Sequence, residues 1–170
     1  MAKGLKQSSS VVSIGFGTTE TAPNTFTQAS VDLNLSPLDR EVFVVLAVNL
    51  DVEFPDAIAA TDTRVSGSLT TTSQTAMPTL SNANCLATIR EAIRAGGFVD
   101  GGVGFTTAAL ESPPSTLEYI GIIATNDFFL QVEGNANAGV KTLSGKLYGY
   151  RAVATADIYA ALVQSEVLSA

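Results

Sequence analysis

Apolar positions along this chain come in short runs, and most of them repeat at a period of two. Val31, Leu33 and Leu35 fall on one face, with Asp32 and Asn34 on the other. That alternation marks a half-buried strand, here beginning near Phe26. Ser36-Pro37-Leu38-Asp39 then predicts a turn, because proline presets φ for the bend. Residues 41–54 give the strongest predicted strand. Its stretch 42–48 is continuously apolar and rich in β-branched side chains, as in a strand covered on both faces. From Val48 it alternates, with Val48, Leu50, Val52 and Phe54 facing in and Asn49, Asp51 and Glu53 facing out. A short apolar strand is predicted over residues 11–16, ended by Gly15 and Gly17. Residues 64–72 form a threonine-rich extended piece in which Gly67 reads as a bulge.

Two segments carry helical spacing. Asn82 or Asn84 offers a cap for a helix from about Cys85 to Ala95. Leu86, Ile89 and Ile93 recur on one side of it, Arg90 and Arg94 lie on the other, and Gly96-Gly97 stops it. The second helix runs from Ala156 to about Leu168. Thr155 sits at its N-cap, Asp157 complements the helix dipole, and the pairs Ile158/Leu162 and Tyr159/Val163 repeat at i,i+4.

Between the two helices the reading is mostly extended. Residues 98–110 are glycine-rich and fit no one element. Pro113-Pro114 predicts a rigid turn. Residues 117–124 and 128–133, linked through 125–127, read as a hairpin. Residues 135–139 read as a flexible loop, and 141–154 as a long strand packing Leu143, Leu147, Tyr148 and Tyr150. Seven or eight strands that do not alternate with helices predict an all-β fold. The expected architecture is an antiparallel β-sandwich of jelly-roll type, with one internal helix and one C-terminal helix. Residues 11–170 are expected to form a single domain, preceded by a flexible N-terminal arm over residues 1–10.

Composition narrows the functional classes. With 46% hydrophobic and only 15% charged residues, the chain is too apolar to be disordered. No apolar run approaches the length of a membrane-spanning helix. The first ten residues lack the apolar core of a secretory signal, so the chain is expected either to be made and kept in a cytoplasm or to be already mature. Nine basic residues against sixteen acidic give a net charge of −7, which argues against sequence-independent nucleic-acid binding. Lys3 and Lys6 make the arm locally basic, so any direct contact with nucleic acid is expected to be weak and to run through the arm.

The chemistry-bearing residues are few. The chain has no histidine, which removes the usual serine and cysteine triads and the commonest metal ligand. It contains no Walker-type phosphate loop, and Gly15-Phe16-Gly17 lacks the third glycine of a dinucleotide fingerprint. Cys85, the one cysteine, reads as a buried small hydrophobe. Asp51, Glu53 and Asp56 cluster at a strand end. They fit the solvated face of a strand, an oxygen-ligand site for a hard cation such as calcium, or an acid/base pair. Asp39-Arg40-Glu41 reads as a local ion pair guarding a turn. Gly101-Gly102-Val103-Gly104-Phe105 fits a plain connection, a segment that orders in an assembly, or a loop over a ligand. No catalytic, cofactor-binding or metal residue is assigned, and the expectation is a structural protein with no enzymatic activity.

Three stretches carry a resemblance of layout. They are the lysine-bearing start of residues 1–10, the strand entry Ser36-Pro37-Leu38-Asp39-Arg40-Glu41-Val42-Phe43-Val44-Val45, and Gly145-Lys146-Leu147-Tyr148-Gly149-Tyr150-Arg151-Ala152-Val153-Ala154 followed by a helix. Across most of its length the chain resembles a small single jelly-roll capsid protein of a tailless icosahedral virus. The resemblance implies a virion subunit that self-assembles with copies of itself, its arm or a loop reaching neighbours. It also implies other virion proteins or an internal membrane as further partners, because two lysines are few for an arm that lines a genome. A carbohydrate- or cation-binding sandwich is the alternative.

Overall fold

The computed structural model describes residues 3–109 and 117–169. In chain order its elements are β1 (Leu5–Gln7), β2 (Val12–Thr19), β3 (Thr27–Asp32), β4 (Glu41–Val52), β5 (Thr63–Thr70), β6 (Cys85–Arg94), β7 (Val103–Ala109), β8 (Gly121–Ile123), β9 (Asp127–Asn135), β10 (Thr142–Ala154) and the helix α1 (Ala156–Leu168). They build two antiparallel sheets. One runs β1-β10-β4-β8, with β2 also paired to β10; the other runs β3-β9-β5-β6-β7. The pairs nest, β2 with β10, β3 with β9, β4 with β8 and β5 with β6. Nested pairing of this kind wraps a double sheet as a jelly roll, the expected architecture. The strand β7 is an addition along the outer edge of β6.

The core lies between the sheets and draws on Phe43, Leu69, Phe128, Leu130, Leu143 and Leu147, all fully buried. Each such side chain contributes about 1.5–3 kcal/mol relative to exposure. Phe16 meets Phe128 edge-on at 5.6 Å between ring centroids. The continuous apolar run of β4 is resolved by a bulge. Ala47 pairs with Tyr148 and Val45 with Gly149, so Leu46 is the extra residue. The bulge shifts the side-chain parity by one, and Phe43 and Val45 share the core with Val48, Leu50 and Val52. Val42 and Val44 are then buried on the other face. There α1 lays Ile158, Tyr159, Leu162 and Val163 over them, together with Leu5 and Ala152.

Several expectations are corrected. The helix expected from Cys85 to Ala95 is the strand β6. Cys85, Ala87, Ile89 and Ile93 are its buried positions, a period of two that coexists with the helical spacing of Leu86, Ile89 and Ile93. Ladders to β5 and β7 on both sides decide the matter. The expected hairpin over residues 117–133 is absent: β8 pairs with β4, whereas β9 lies in the other sheet. Gly67 carries no bulge, since the irregularity of β5 falls between Leu69 and Thr70. Its hydrogen instead makes room for Leu143 Cδ1 and Val52 Cγ1, each 2.8 Å from where a Cβ would stand.

The loop after β9 is pinned. Asn137 is buried, donates to the Arg64 carbonyl at 2.8 Å and accepts the Asp56 N–H at 2.9 Å. Part of the expected arm is a strand, with Leu5 opposite Ala154. The turn expected at Pro113-Pro114 lies outside the described residues. Thr155 stands at the N-cap of α1, but its side chain caps nothing; its N–H donates to the Gly4 carbonyl at 3.0 Å.

Candidate functional site

The acidic grouping is reorganised by a lysine. At the start of β10 the side chain of Lys141 is 4% exposed, and its Nζ lies 2.7 Å from Asp56 Oδ1 and 3.8 Å from Glu53 Oε1. It also donates to the Phe54 carbonyl at 3.1 Å. Asp56 Oδ2 accepts the N–H groups of Ala138 and Gly139 at 2.9 and 3.2 Å. The hydrogen bond from Lys141, followed by that from Gly139, holds the Asp56 carboxyl below its ordinary value. Asp51 stays apart, exposed on β4 opposite Ser144. Glu53 and Asp56 therefore converge on an ammonium, which supplies the positive charge that a bound cation would bring. Among the described residues no group of three or more His, Cys, Asp or Glu is placed to hold a metal ion.

Glu20, buried beside this cluster, accepts backbone N–H groups from Gly134 and Lys141 at 2.7 and 2.8 Å. It ties β2 to the two strands that follow one another at β9 and β10. Sequence reasoning missed both Lys141 and Glu20. The available signal was a lysine placed among apolar residues at the start of a core strand.

The other expected ion pair is also re-partnered. Glu41 pairs with Arg151 at 3.2 Å, and Asp39 accepts from the Ser36 hydroxyl at 2.7 Å. Arg151 further donates to the carbonyls of Leu33 and Asn34, which clamps the end of β3 to β10. Cys85 is buried, and burial pushes its thiol up to about 11, so little thiolate exists at neutral pH.

The apolar surface concentrates around β7. Val103 and Phe105 on this strand are about half exposed, as are Phe98 and Phe54, and Val99 is 88% exposed. The sequence Val103–Ala109 carries no charge and no proline. Beside it a groove of about 520 Å³ is lined by Phe54, Ile58, Ile93, Ala95, Gly102 and Gly104 among others. Phe54, expected to face the core, lies in this wall. A side chain would be crowded at both glycines: a Cβ on Gly104 would stand 3.0 Å from Phe54 Cζ, and one on Gly102 3.0 Å from Ala95 Cβ. The glycine-rich segment thus leads into β7 and shapes the groove wall.

No family model and no curated protein matches the chain. Among solved structures, one of Desmodium yellow mottle tymovirus aligns over 86% of this chain and 90% of that chain, at 16% identity and a TM-score of 0.32. A structure of turnip yellow mosaic virus at 100 K covers 87% and 97%, at 13% identity and a TM-score of 0.31. A second structure of turnip yellow mosaic virus covers 87% and 98%, at 12% identity and a TM-score of 0.28. Superpositions this loose carry no argument about what the chain does.

What the described geometry offers is a rigid frame. Its buried carboxylates are held by backbone N–H groups or by a lysine, with the chain's segments as their partners. Its least satisfied surface is the apolar side at β7.

Proposed function

We propose that this chain is a structural subunit, a virion shell protein that assembles with copies of itself and has no catalytic role. The observation that supports this is the state of β7. An edge strand exposes a row of unpaired N–H and C=O groups, and monomeric proteins guard such edges with lysine, proline, bulges or a covering element. Val103–Ala109 has neither charge nor proline, and exposed Val103, Phe105, Phe98 and Val99 surround it. Patches of this kind mark association surfaces. The jelly-roll frame suits tiling, because its loops and edges can meet neighbours while the two sheets keep their shape. The resemblance of layout to a capsid subunit is a fold-level analogy, and the open edge is the feature of this chain that fits it. Contact with other virion proteins or with an internal membrane belongs to the same reading.

Size-exclusion chromatography with light scattering, followed by negative-stain microscopy, tests it. The wild-type chain is expected to form discrete multimers or shells whose fraction rises with concentration. The pair V103K/F105K, which guards the edge, is expected to leave a folded monomer. A strict monomer at high concentration under several salts overturns the reading.

A further inference from the structure

The sheet face of β5 and β6 that adjoins Val103 and Phe105 of β7 holds an unusual concentration of positive charge. Three of the chain's five arginines share the outer face of β5 and β6. Arg64 stands opposite Ala92, while Arg90 and Arg94 lie two residues to either side of that alanine. All three line one small cleft of about 150 Å³ together with Asp62, Thr63 and Asn135. Like charges on neighbouring strands repel, so the grouping is costly unless an anion answers it. Among the described residues only one of the three has such an answer: Arg94 pairs with Asp62 at 3.2 Å. Asp62 is itself engaged by the N–H groups of Ala95 and Gly96, both at 2.8 Å.

Arg64 and Arg90 have no ion pair among the described residues, and the Arg64 Nε is buried without a hydrogen-bond partner. Glu133, opposite Ser66 on the neighbouring strand β9, shares this sheet face but forms no salt bridge with either.

We infer that this cleft binds one small oxyanion of the phosphate class, gripped by the guanidinium groups of Arg64 and Arg90 and flanked by Arg94. Arginine's planar fork matches two oxygens of such an anion at once, which a lysine cannot do. Asn135, opposite Arg64 on β9, stands in the same cleft as a further hydrogen-bonding partner. The size of the cleft suits a single tetrahedral anion. A long polyanion is disfavoured by the chain's net charge of −7, since binding along a phosphate backbone depends on an extended basic surface. The inference does not rest on the assembly reading, although Val103 and Phe105 stand opposite Arg94 and Ala92 beside the cleft.

Inorganic phosphate is the probe, with sodium chloride at matched ionic strength as control. Thermal melting of the full chain is expected to rise saturably with phosphate above the chloride control, since a ligand of the native state stabilises it. Equilibrium dialysis with labelled phosphate is expected to give one ion per chain. The R64Q/R90Q variant is expected to lose the phosphate-specific rise, and R64K/R90K to bind at least tenfold more weakly. Circular dichroism checks that these variants fold. The single variant R90Q, altered at an exposed position, repeats the test should the double variant fail to fold. Absence of any rise beyond chloride, or a rise undiminished in R64Q/R90Q and R90Q, overturns the proposal. Tighter binding of a single-stranded oligonucleotide than of phosphate overturns it equally, since that would make the cleft part of a longer track.

Discussion

Lys141 and Glu166 show how one buried charge sets a local rule. Lys141 holds Asp56 and Glu53 to the start of β10, and its replacement by methionine leaves two carboxylates facing each other without a cation. K141M is expected to lower unfolding stability by about 2 kcal/mol in urea denaturation at pH 7. That is less than for a fully buried pair, because Asp56 keeps about a third of its side chain in water. Asp56 has a depressed folded pKa, so its contribution is fully present above the ordinary value of 3.8. It is lost as pH falls through the lower folded value, and the gap between wild type and K141M should close on that acid limb.

Glu166 has the opposite sign. Burial raises its carboxyl above the ordinary 4.5, although Oε2 accepts the N–H groups of Ala124 and Thr125 at 2.9 and 3.0 Å. Its stabilisation is present below 4.5 and is lost as pH rises through the raised value. Urea midpoints measured from pH 4 to pH 7 should therefore show E166Q gaining on wild type as pH rises. Parallel curves would refute this assignment.

At the scale of elements, close approach and parity decide more than propensity. The pairing of Gly67 with Ile89 brings β5 under Leu143 and Val52 of the opposite sheet, with no space for a methyl group. Gly67→Ala is expected to cost about 2 kcal/mol through overpacking, seen as a fall in melting temperature of roughly 4–8 °C for a domain of this size. The strand β6 shows the limit of pattern reading. Its residues satisfy both periods, and Arg90 and Arg94, taken as one side of a helix, project from one sheet face beside Arg64. In β4 the seven-residue apolar run was legible as two-sided burial. Its cause, a bulge at Leu46 with α1 covering the outer face, lay in contacts with β10 and with residues more than a hundred positions away.

For the whole molecule, the candidate site was far less legible than the fold. Asp51, Glu53 and Asp56 were visible as a group, but their partner Lys141 arrives from the far end of the chain, and Asp51 points elsewhere. The proposed association surface was foreshadowed only by the glycine-rich run before Phe105. What makes it a surface is the position of β7 at the end of a sheet. The sequence by itself determined that this is a β-sandwich with a C-terminal helix, because alternation, turn residues and the i,i+4 apolar pairs of the last helix are local patterns. Tertiary structure alone decided that residues 85–94 are a strand, which charges meet, and which edge is left open. Those outcomes depend on ladders and ion pairs between segments far apart in the chain, and no local pattern encodes the identity of a distant partner.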